Sequence, residues 1–225
     1  MAIQIIGRTG MIAGVDANTR AALTRAQPVN NGALGNFRWS GQTGVVALGA
    51  QTDSPWFSFR WAETTRWAVV RHLRVGLQSG PNAFGAGSAT IDAVVARGFV
   101  TNDTGGTVVT PIAGNSQKKM SRLGSTALFD MRIASNSVLV AGTRVLDLAP
   151  MGSIAFPLNT LANAAQLSKD ENSRIFDMTV GHGMWPVILH FNEGVIARIT
   201  IPGGSASGSW TAFIDMEWNE IIAFP

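Results

Sequence analysis

The sequence predicts an all-β protein: an antiparallel β-sandwich, jelly-roll-like, with one short helix and an irregular N-terminal arm. Three observations predict this fold. From residue 56 onward, apolar and polar residues alternate with the period of two that half-buried strands show. Clusters of Gly, Pro, Asn and Asp interrupt the alternation about every 8–12 residues, as they do between the strands of a sandwich. Helical spacing is convincing at one place, Leu158–Leu167, which Asn159 can cap.

The long second strand and the last strand carry the most informative patterns. In the predicted strand 67–77, Val69 and Leu73 lie on the same apolar face, and Arg71 interrupts that face between them. In 210–218, one face is wholly apolar, and the other carries two carboxylates. The full set of predicted strands is 56–61, 67–77, 88–100, 107–110, 128–133, 138–148, 187–191, 195–201 and 210–218.

Two turns predict hairpins. The turn Asn102–Gly106 predicts that strands 88–100 and 107–110 pair with each other. Asn192–Gly194 predicts the same of the two strands on either side of it.

The first 50 residues differ from the rest of the chain. Glycine and asparagine recur there, arginines are scattered between them, and helical periodicity is weak. We therefore divide the chain into an irregular N-terminal segment, 1–50, and a β-sandwich body, 51–225. Short strands are predicted within the segment at Ile3–Ile6 and Val45–Leu48. Such a segment can order against a partner, or it can form a loop-rich edge of the same domain.

Charged residues are scarce. They form 14% of the 225 residues, against roughly 25% in an average soluble domain, whereas the apolar share of 46% is ordinary. A surface with few charges indicates coverage by other subunits, because interface cores are depleted in charge, or an exterior of Ser, Thr, Asn and Gly. Most of the 17 basic residues are arginines, which are enriched at interfaces.

The absence of cysteine excludes disulfides and thiolate metal sites. No apolar run in the sequence approaches the roughly 20 residues that span a bilayer. Met1–Gly14 lacks the apolar core of a signal peptide. We therefore expect a protein that is made in the cytoplasm and stays there or leaves by cell lysis, without contact with a membrane.

The sequence contains no convergent set of reactive residues. Gly204–Gly208 resembles a nucleophile elbow, but alanine stands where serine is required. Asp215 and Glu217 would lie about 7 Å apart along one strand. That separation is compatible with glycoside hydrolysis and also with an ordinary solvated face. We predict no enzymatic activity, no metal and no cofactor, since the three histidines also lack metal-site spacing. They are His72, His182 and His190.

The densest basic patch, Gln117–Arg122, predicts either a solvated loop or an interface loop that faces an acidic partner. It contains no aromatic stacking platform, so we do not expect direct contact with nucleic acid. The aromatic side chains near 56–61 and 210–218 can fill a β core, anchor an interface or line a carbohydrate site.

Five stretches of the sequence resemble a family of structural proteins of tailed-phage virions. They are Gly87–Phe99 with Asp103–Thr107, Lys118–Ser121, Asp130–Ser135, Ala141–Thr143 with Leu146–Asp147, and Asn192–Arg198 with Trp210–Glu220. The resemblance extends over roughly residues 55–225 and contains no catalytic pattern. It implies a component of a phage particle.

The resemblance and the composition lead to one expectation and two alternatives. We expect a non-enzymatic capsid cement or decoration protein on the virion exterior, a dimer or trimer that binds the major capsid protein and stabilises the head. The alternatives are a tail or head-to-tail component, and a virion module that binds host glycans. The predicted interface residues are Arg8, Arg20, Arg25, Lys118, Lys119 and Arg122.

Overall fold

The computed structural model describes residues 34–47, 51–80, 84, 87–110, 117–118, 125–158, 174–177, 186–202 and 208–222. Within these residues, all regular structure is β-strand, and the strands pair antiparallel. The predicted antiparallel β-sandwich is therefore confirmed. The predicted helix lies outside the described residues after Leu158. Among the residues described, no helix is long and apolar enough to cross a membrane.

The described strands are, in chain order, β1 (Gly35–Gln42), β2 (Gln51–Trp61), β3 (Trp67–Ser79), β4 (Ser88–Arg97), β5 (Thr107–Val109), β6 (Gln117–Lys118), β7 (Phe129–Ile133), β8 (Val145–Leu146), β9 (Gly152–Pro157), β10 (Arg174–Asp177), β11 (Val187–Leu189), β12 (Glu193–Ile201) and β13 (Trp210–Ile221).

The strands form two sheets. In the six-stranded sheet the order is β10–β3–β13–β1–β6, and β11 also pairs with β3. In the seven-stranded sheet the order is β5–β7–β2–β12–β4–β8, and β9 also pairs with β4. The outermost strands are only two to six residues long. Short edge strands limit edge-to-edge pairing between molecules. Four strands have no counterpart in the prediction: β1, β6, β9 and β10.

Aromatic side chains from both sheets meet in the core. Trp218 of β13 packs against Phe37 of β1, with ring centroids 5.6 Å apart. From the opposite sheet, Phe59 of β2 and Phe129 of β7 approach Trp218 at 5.5 and 5.8 Å. Such pairs contribute about 0.5–1.5 kcal/mol each beyond the burial of their area. The alternation predicted for 210–218 therefore places its tryptophans at the centre of the sandwich.

The interruption of the apolar face in β3 is a β-bulge. Val70 pairs with Trp218 and His72 with Glu217, so Arg71 is an extra residue on β3. The side chains that join the main core are Ala68, Val70, Leu73, Val75 and Leu77. The prediction that Val69 and Leu73 share the apolar face is wrong, because the extra residue Arg71 reverses the alternation of side chains along β3.

Strand β1 lies inside the segment that was predicted to be irregular. It pairs with β13 along its whole length, and it buries Phe37 and Trp39 in the core. The sandwich body thus includes residues 34–47 and does not begin at 51. The alternation at 37–40 was missed because it is only four residues long and has glycines close by. Residues 1–33 and the predicted strand at Ile3–Ile6 lie outside the described part of the chain.

Beyond β1 the chain connects the two sheets. The Thr43 amide donates a hydrogen bond to Ala212 of β13 at 2.9 Å. The next amide, of Gly44, donates to Ala134 beside β7 of the other sheet at 3.3 Å. The strand predicted at 45–48 is reduced in the described residues to an isolated bridge between Val46 and Trp210.

Neither predicted hairpin forms. Strand β5 pairs with β7 rather than with β4, so the chain after β4 crosses to the far side of its sheet. Strand β11 belongs to the six-stranded sheet and β12 to the seven-stranded sheet, so Asn192–Gly194 joins two sheets. Turn residues permit the chain to reverse, but they do not select the strand that it pairs with.

Candidate functional site

The stretch 98–106 packs on the outer face of the seven-stranded sheet through Phe99, and the stretch 138–146 pairs with it and ends in the edge strand β8. We call these two stretches the covering layer. Phe99 and Leu146 of the layer pack with Ala96 and Ile196 in a small apolar cluster that is separate from the main core. Residues on both sides of Ile196 join the main core, so this cluster lies on the opposite face of the strand. The layer is held together by backbone hydrogen bonds, including a two-way bridge between Thr104 and Val140 at 2.9 Å.

A buried ion pair pins the covering layer. The carboxylate of Asp103 accepts a hydrogen bond from the guanidinium of Arg144, and the side chains are 0% and 5% exposed. The same carboxylate accepts the Gly142 amide at 2.8 Å, and Arg144 stacks over the ring of Phe99 at 5.0 Å. Burial lowers the pKa of Arg144 to about 10, which leaves it charged at neutral pH.

Arg60 of β2 joins the layer to the rest of the molecule. Its Nε donates to the carbonyl of Phe99, and its two terminal nitrogens donate to the side-chain oxygens of Asn102 and Asn192 at 2.7 and 2.8 Å. Asn192, with φ at 60°, lies in the connection between β11 and β12. One guanidinium thus ties together three chain segments.

The covering layer and the adjacent strand β5 present four exposed valines, which we call the valine patch. They are Val100, Val108, Val140 and Val145, and they are 49–70% exposed. The amide of Val100 donates to Thr143 at 3.1 Å and Val145 pairs with Arg97, whereas β5 with Val108 forms the opposite edge of the sheet from β8. The sequence did not reveal the patch, because these valines fall in segments whose alternation suggested half-buried strands. The one sequence feature that could have indicated exposed chain here is the turn Asn102–Gly106, whose five residues are more than a tight hairpin needs.

The outer face of the six-stranded sheet is polar, and its side chains form cross-strand rows. Ser40 of β1, Asp215 of β13 and Arg74 of β3 make one row. The next row contains Arg38, Glu217, His72 and Asp177, from four adjacent strands. The outward direction of Asp215 and Glu217 follows from the alternation predicted for 210–218.

Asp215 is held as a carboxylate. Nε of Arg38 donates to one of its oxygens at 2.7 Å, Nη2 donates to the other, and the hydroxyl of Ser40 donates at 2.8 Å. Burial acts to raise the pKa of Asp215, but the hydrogen bonds from Arg38 and Ser40 outweigh burial, and the net pKa is lowered. A glycosidase general acid needs a raised pKa, so Asp215 is not suited to that role.

His72 lies beside Asp177, with Nδ1 3.6 Å from the carboxylate. Burial lowers the pKa of His72, and the neighbouring Arg74 lowers it further, whereas Asp177 and Asp215 act to raise it. The other described histidine, His190, packs against the ring of Trp67 at 4.3 Å. The described residues contain no cluster of three or more metal-ligating side chains, and His182 lies outside them.

Two buried carboxylates lie where the turn after β2 meets the chain before β7. Glu63 accepts the amides of Thr64 and Thr65 and the Thr65 hydroxyl at 2.8–3.0 Å, and these bonds lower its pKa. Burial raises the pKa of Glu220, although Ser125 and Arg66 both donate to it. The hydrogen-bonding capacity of both buried carboxylates is thus met by neighbouring donors, and these bonds hold the turn in place. Both carboxylates therefore have a structural role.

The predicted interface residues lie almost entirely outside the described part of the chain. Lys118 belongs to β6, where it pairs with Phe37 at the edge of the six-stranded sheet. The structure therefore brings none of these six side chains into a described site. Those outside the description are Arg8, Arg20, Arg25, Lys119 and Arg122.

Comparisons with family models, with curated proteins and with solved structures found no match to this chain.

Proposed function

We propose that this protein is a non-enzymatic structural component of a tailed-phage particle: a cement or decoration protein that binds major capsid subunits through the valine patch. The observation that carries the proposal is the covering layer itself. A buried ion pair and a guanidinium clamp hold the layer, in which Val100, Val140 and Val145 are exposed. Exposed apolar side chains of this kind are candidates for an interaction surface on a folded domain.

The rigidity of the layer favours docking. Binding costs free energy when loops and side chains are ordered at the interface. The Arg144–Asp103 pair and the three bonds of Arg60 fix the layer before a partner arrives. Valine adds little to the cost, because its single side-chain torsion is already restricted.

The use of charge in the described residues supports the same proposal. Several arginines of the described chain are paired with carboxylates of the same molecule, and the remaining surface is poor in charge. A particle subunit needs such a surface, since the cores of interfaces are depleted in charged groups. The intramolecular pairs include Arg38–Asp215, Arg66–Glu220, Arg97–Asp147, Arg132–Asp130, Arg144–Asp103 and Arg198–Asp92.

The phage assignment rests on the resemblance of five sequence stretches, and parts of two of them lie in the covering layer. Asp103–Thr107 contains the buried carboxylate, and Ala141–Thr143 contains the amide that it accepts. In this proposal the protein acts as a dimer or trimer on the capsid exterior and is assembled in the host cytoplasm. The segment 1–33, with Arg8, Arg20 and Arg25, contacts the capsid or a neighbouring copy.

Reloading of capsids tests the proposal. Capsids that lack the protein are incubated with the wild-type chain, with Val140→Asp or with Ile222→Asp, and bound copies are quantified on a gel. Val140 and Ile222 are 65% and 66% exposed, but Ile222 follows β13 in the other sheet, so it is a matched control. We expect Val140→Asp to lower occupancy and Ile222→Asp to leave it unchanged. Equal occupancy for all three chains would contradict docking through the patch.

Two further measurements separate the alternatives. Deletion of residues 1–33 removes the part of the predicted 1–50 arm that precedes β1, whereas a deletion to residue 50 would also remove a strand of the core sheet. Undiminished binding of the 1–33 deletion would count against a contact made by the arm.

The number of copies per virion distinguishes a cement protein, which is present in high copy number, from a tail or head-to-tail part. A free monomer that is absent from purified particles would overturn the particle assignment.

A further inference from the structure

A groove of about 470 Å³ crosses the outer face of the six-stranded sheet. Three strands supply it: β1 contributes Ser40 and Gln42, β13 contributes Phe213 and Asp215, and β3 contributes Arg74. Three adjacent strands span about 10 Å, and two residues along a strand add about 7 Å. These dimensions suit a ligand of one or two small rings.

An aromatic side chain, Phe213, lines the groove. Phe213 is half-buried, and its neighbours in the cross-strand row are Gln42 and Gly76. A Cβ at Gly76 would lie 3.7 Å from the Phe213 ring, so the glycine leaves the flank of the ring uncovered. A half-buried phenylalanine on a polar sheet face offers a flat apolar surface that the core does not use.

Polar groups of complementary kinds surround the ring. The Asp215 carboxylate only accepts hydrogen bonds, and the Arg74 guanidinium only donates them. Ser40 and Gln42 can do both. Arg74 has a buried Nε without a hydrogen-bond partner, whereas Asp215 is fixed in place by Arg38 and Ser40. A carboxylate has room for about four hydrogen bonds, so Asp215 can accept from a ligand as well.

We infer that this groove is a binding site for a neutral saccharide. A sugar ring presents C–H groups on one face, which pack on an aromatic ring, and hydroxyls at its edge, each of which both donates and accepts. The groove matches both features. A simple anion is disfavoured, because the carboxylate of Asp215 lies on the wall beside Arg74. A purely apolar ligand would displace water from Arg74 and Asp215 without replacing its hydrogen bonds.

The groove does not depend on the proposed docking surface. It lies on the outer face of the six-stranded sheet, whereas the valine patch belongs to the seven-stranded sheet and its covering layer. A protein that docks through the valine patch would therefore turn the groove away from the particle, where a host surface glycan can reach it.

A glycan array tests the inference. The full chain is applied to immobilised neutral, sialylated and sulfated oligosaccharides, and each hit is titrated by calorimetry with the free sugar. We expect binding to neutral glycans, with affinity lowered about tenfold by Phe213→Ala, since the ring supplies the stacking surface. Phe191→Ala is the matched control, because Phe191 is 50% exposed and lies outside the groove. The control should bind as the wild type does.

A second variant guards against misfolding of the first. Gly76→Val places a side chain beside Phe213 at an ordinary contact distance and narrows the groove. It should weaken binding without lowering the thermal midpoint of unfolding by more than a few degrees. The inference is overturned if no glycan is retained, if only sulfated or sialylated glycans bind, or if both groove variants bind as tightly as the wild type. Reloading of capsids by Phe213→Ala keeps this result separate from the docking proposal, since it should be normal.

Discussion

The guanidinium of Arg144 and the carboxylate of Asp103 form an ion pair that is almost completely buried and joins the two stretches of the covering layer. Removal of one partner of a buried pair leaves an uncompensated charge, and this costs about 3–5 kcal/mol. We expect Asp103→Ala to lower the free energy of unfolding by that amount in urea denaturation.

Two controls accompany this prediction. Asp147→Ala removes an exposed partner of Arg97 and should cost less than about 1 kcal/mol. The double variant Asp103→Ala/Arg144→Met removes both charges and should be more stable than Asp103→Ala alone. If Asp103→Ala costs no more than Asp147→Ala, the ion pair does not pin the layer.

Gly106 and Gly98 provide a second prediction, because they share a backbone conformation and differ in their surroundings. Their φ angles are 60° and 55°. A Cβ at Gly106 would lie 2.3 Å from the carbonyl oxygen of Ile133, whereas nothing lies within 4 Å of a Cβ at Gly98. Gly98→Ala should cost about 1–2 kcal/mol from the left-handed conformation alone.

Gly106→Ala should cost about 1–3 kcal/mol more than Gly98→Ala, since a backbone atom of β7 must also move. Thermal and urea unfolding of the two variants measure the difference directly. If the two variants lose the same free energy of unfolding, the covering layer can shift at little energetic cost. The rigidity on which the docking proposal relies would then be wrong.

The bulge at Arg71 provides a third prediction. Deletion of Arg71 should remove the phase reversal and turn Ala68 and Val70 away from the core, or force β3 out of register with β13. We expect the deletion variant to lose cooperative unfolding as monitored by near-UV circular dichroism. Arg71→Ala keeps the residue count and should remain folded with a small loss of stability. A deletion variant as stable as Arg71→Ala would show that the bulge is dispensable.

Glu63 and Glu220 provide a prediction about pH. The folded pKa of Glu63 lies below its ordinary value of 4.5, so its stabilising contribution is present above about pH 4.5 and is lost as pH falls through the folded pKa. The stability advantage of the wild type over Glu63→Gln should therefore shrink as pH is lowered below 4.5.

For Glu220 the sign is opposite. Burial raises its folded pKa above 4.5, so the folded state takes up a proton first, and ionisation at higher pH destabilises the protein. The wild type should gain stability relative to Glu220→Gln as pH is lowered toward 4.5. Urea unfolding of both variants between neutral and acidic pH measures the two slopes, and slopes of the same sign would contradict the assignment.

Part of the groove and its surroundings could be predicted from the sequence. The alternation in 210–218 assigned Asp215 to the outer face, where it borders the groove. The role of Gly76 beside Phe213 was not accessible, because it depends on the register between β3 and β13. The valine patch was missed for a related reason: a valine in an alternating segment is exposed or buried according to what lies across it.

The sequence by itself determined the fold class and most strand positions, since a period of two places alternate side chains on one face wherever the strand lies. Only the tertiary structure decided the pairing of β5 with β7, the placement of β1 beside β13, and the separation of β11 from β12. Backbone hydrogen bonds are alike for every residue, so they do not select a partner. The choice depends on which distant surfaces bury each other, and that is a property of the whole chain.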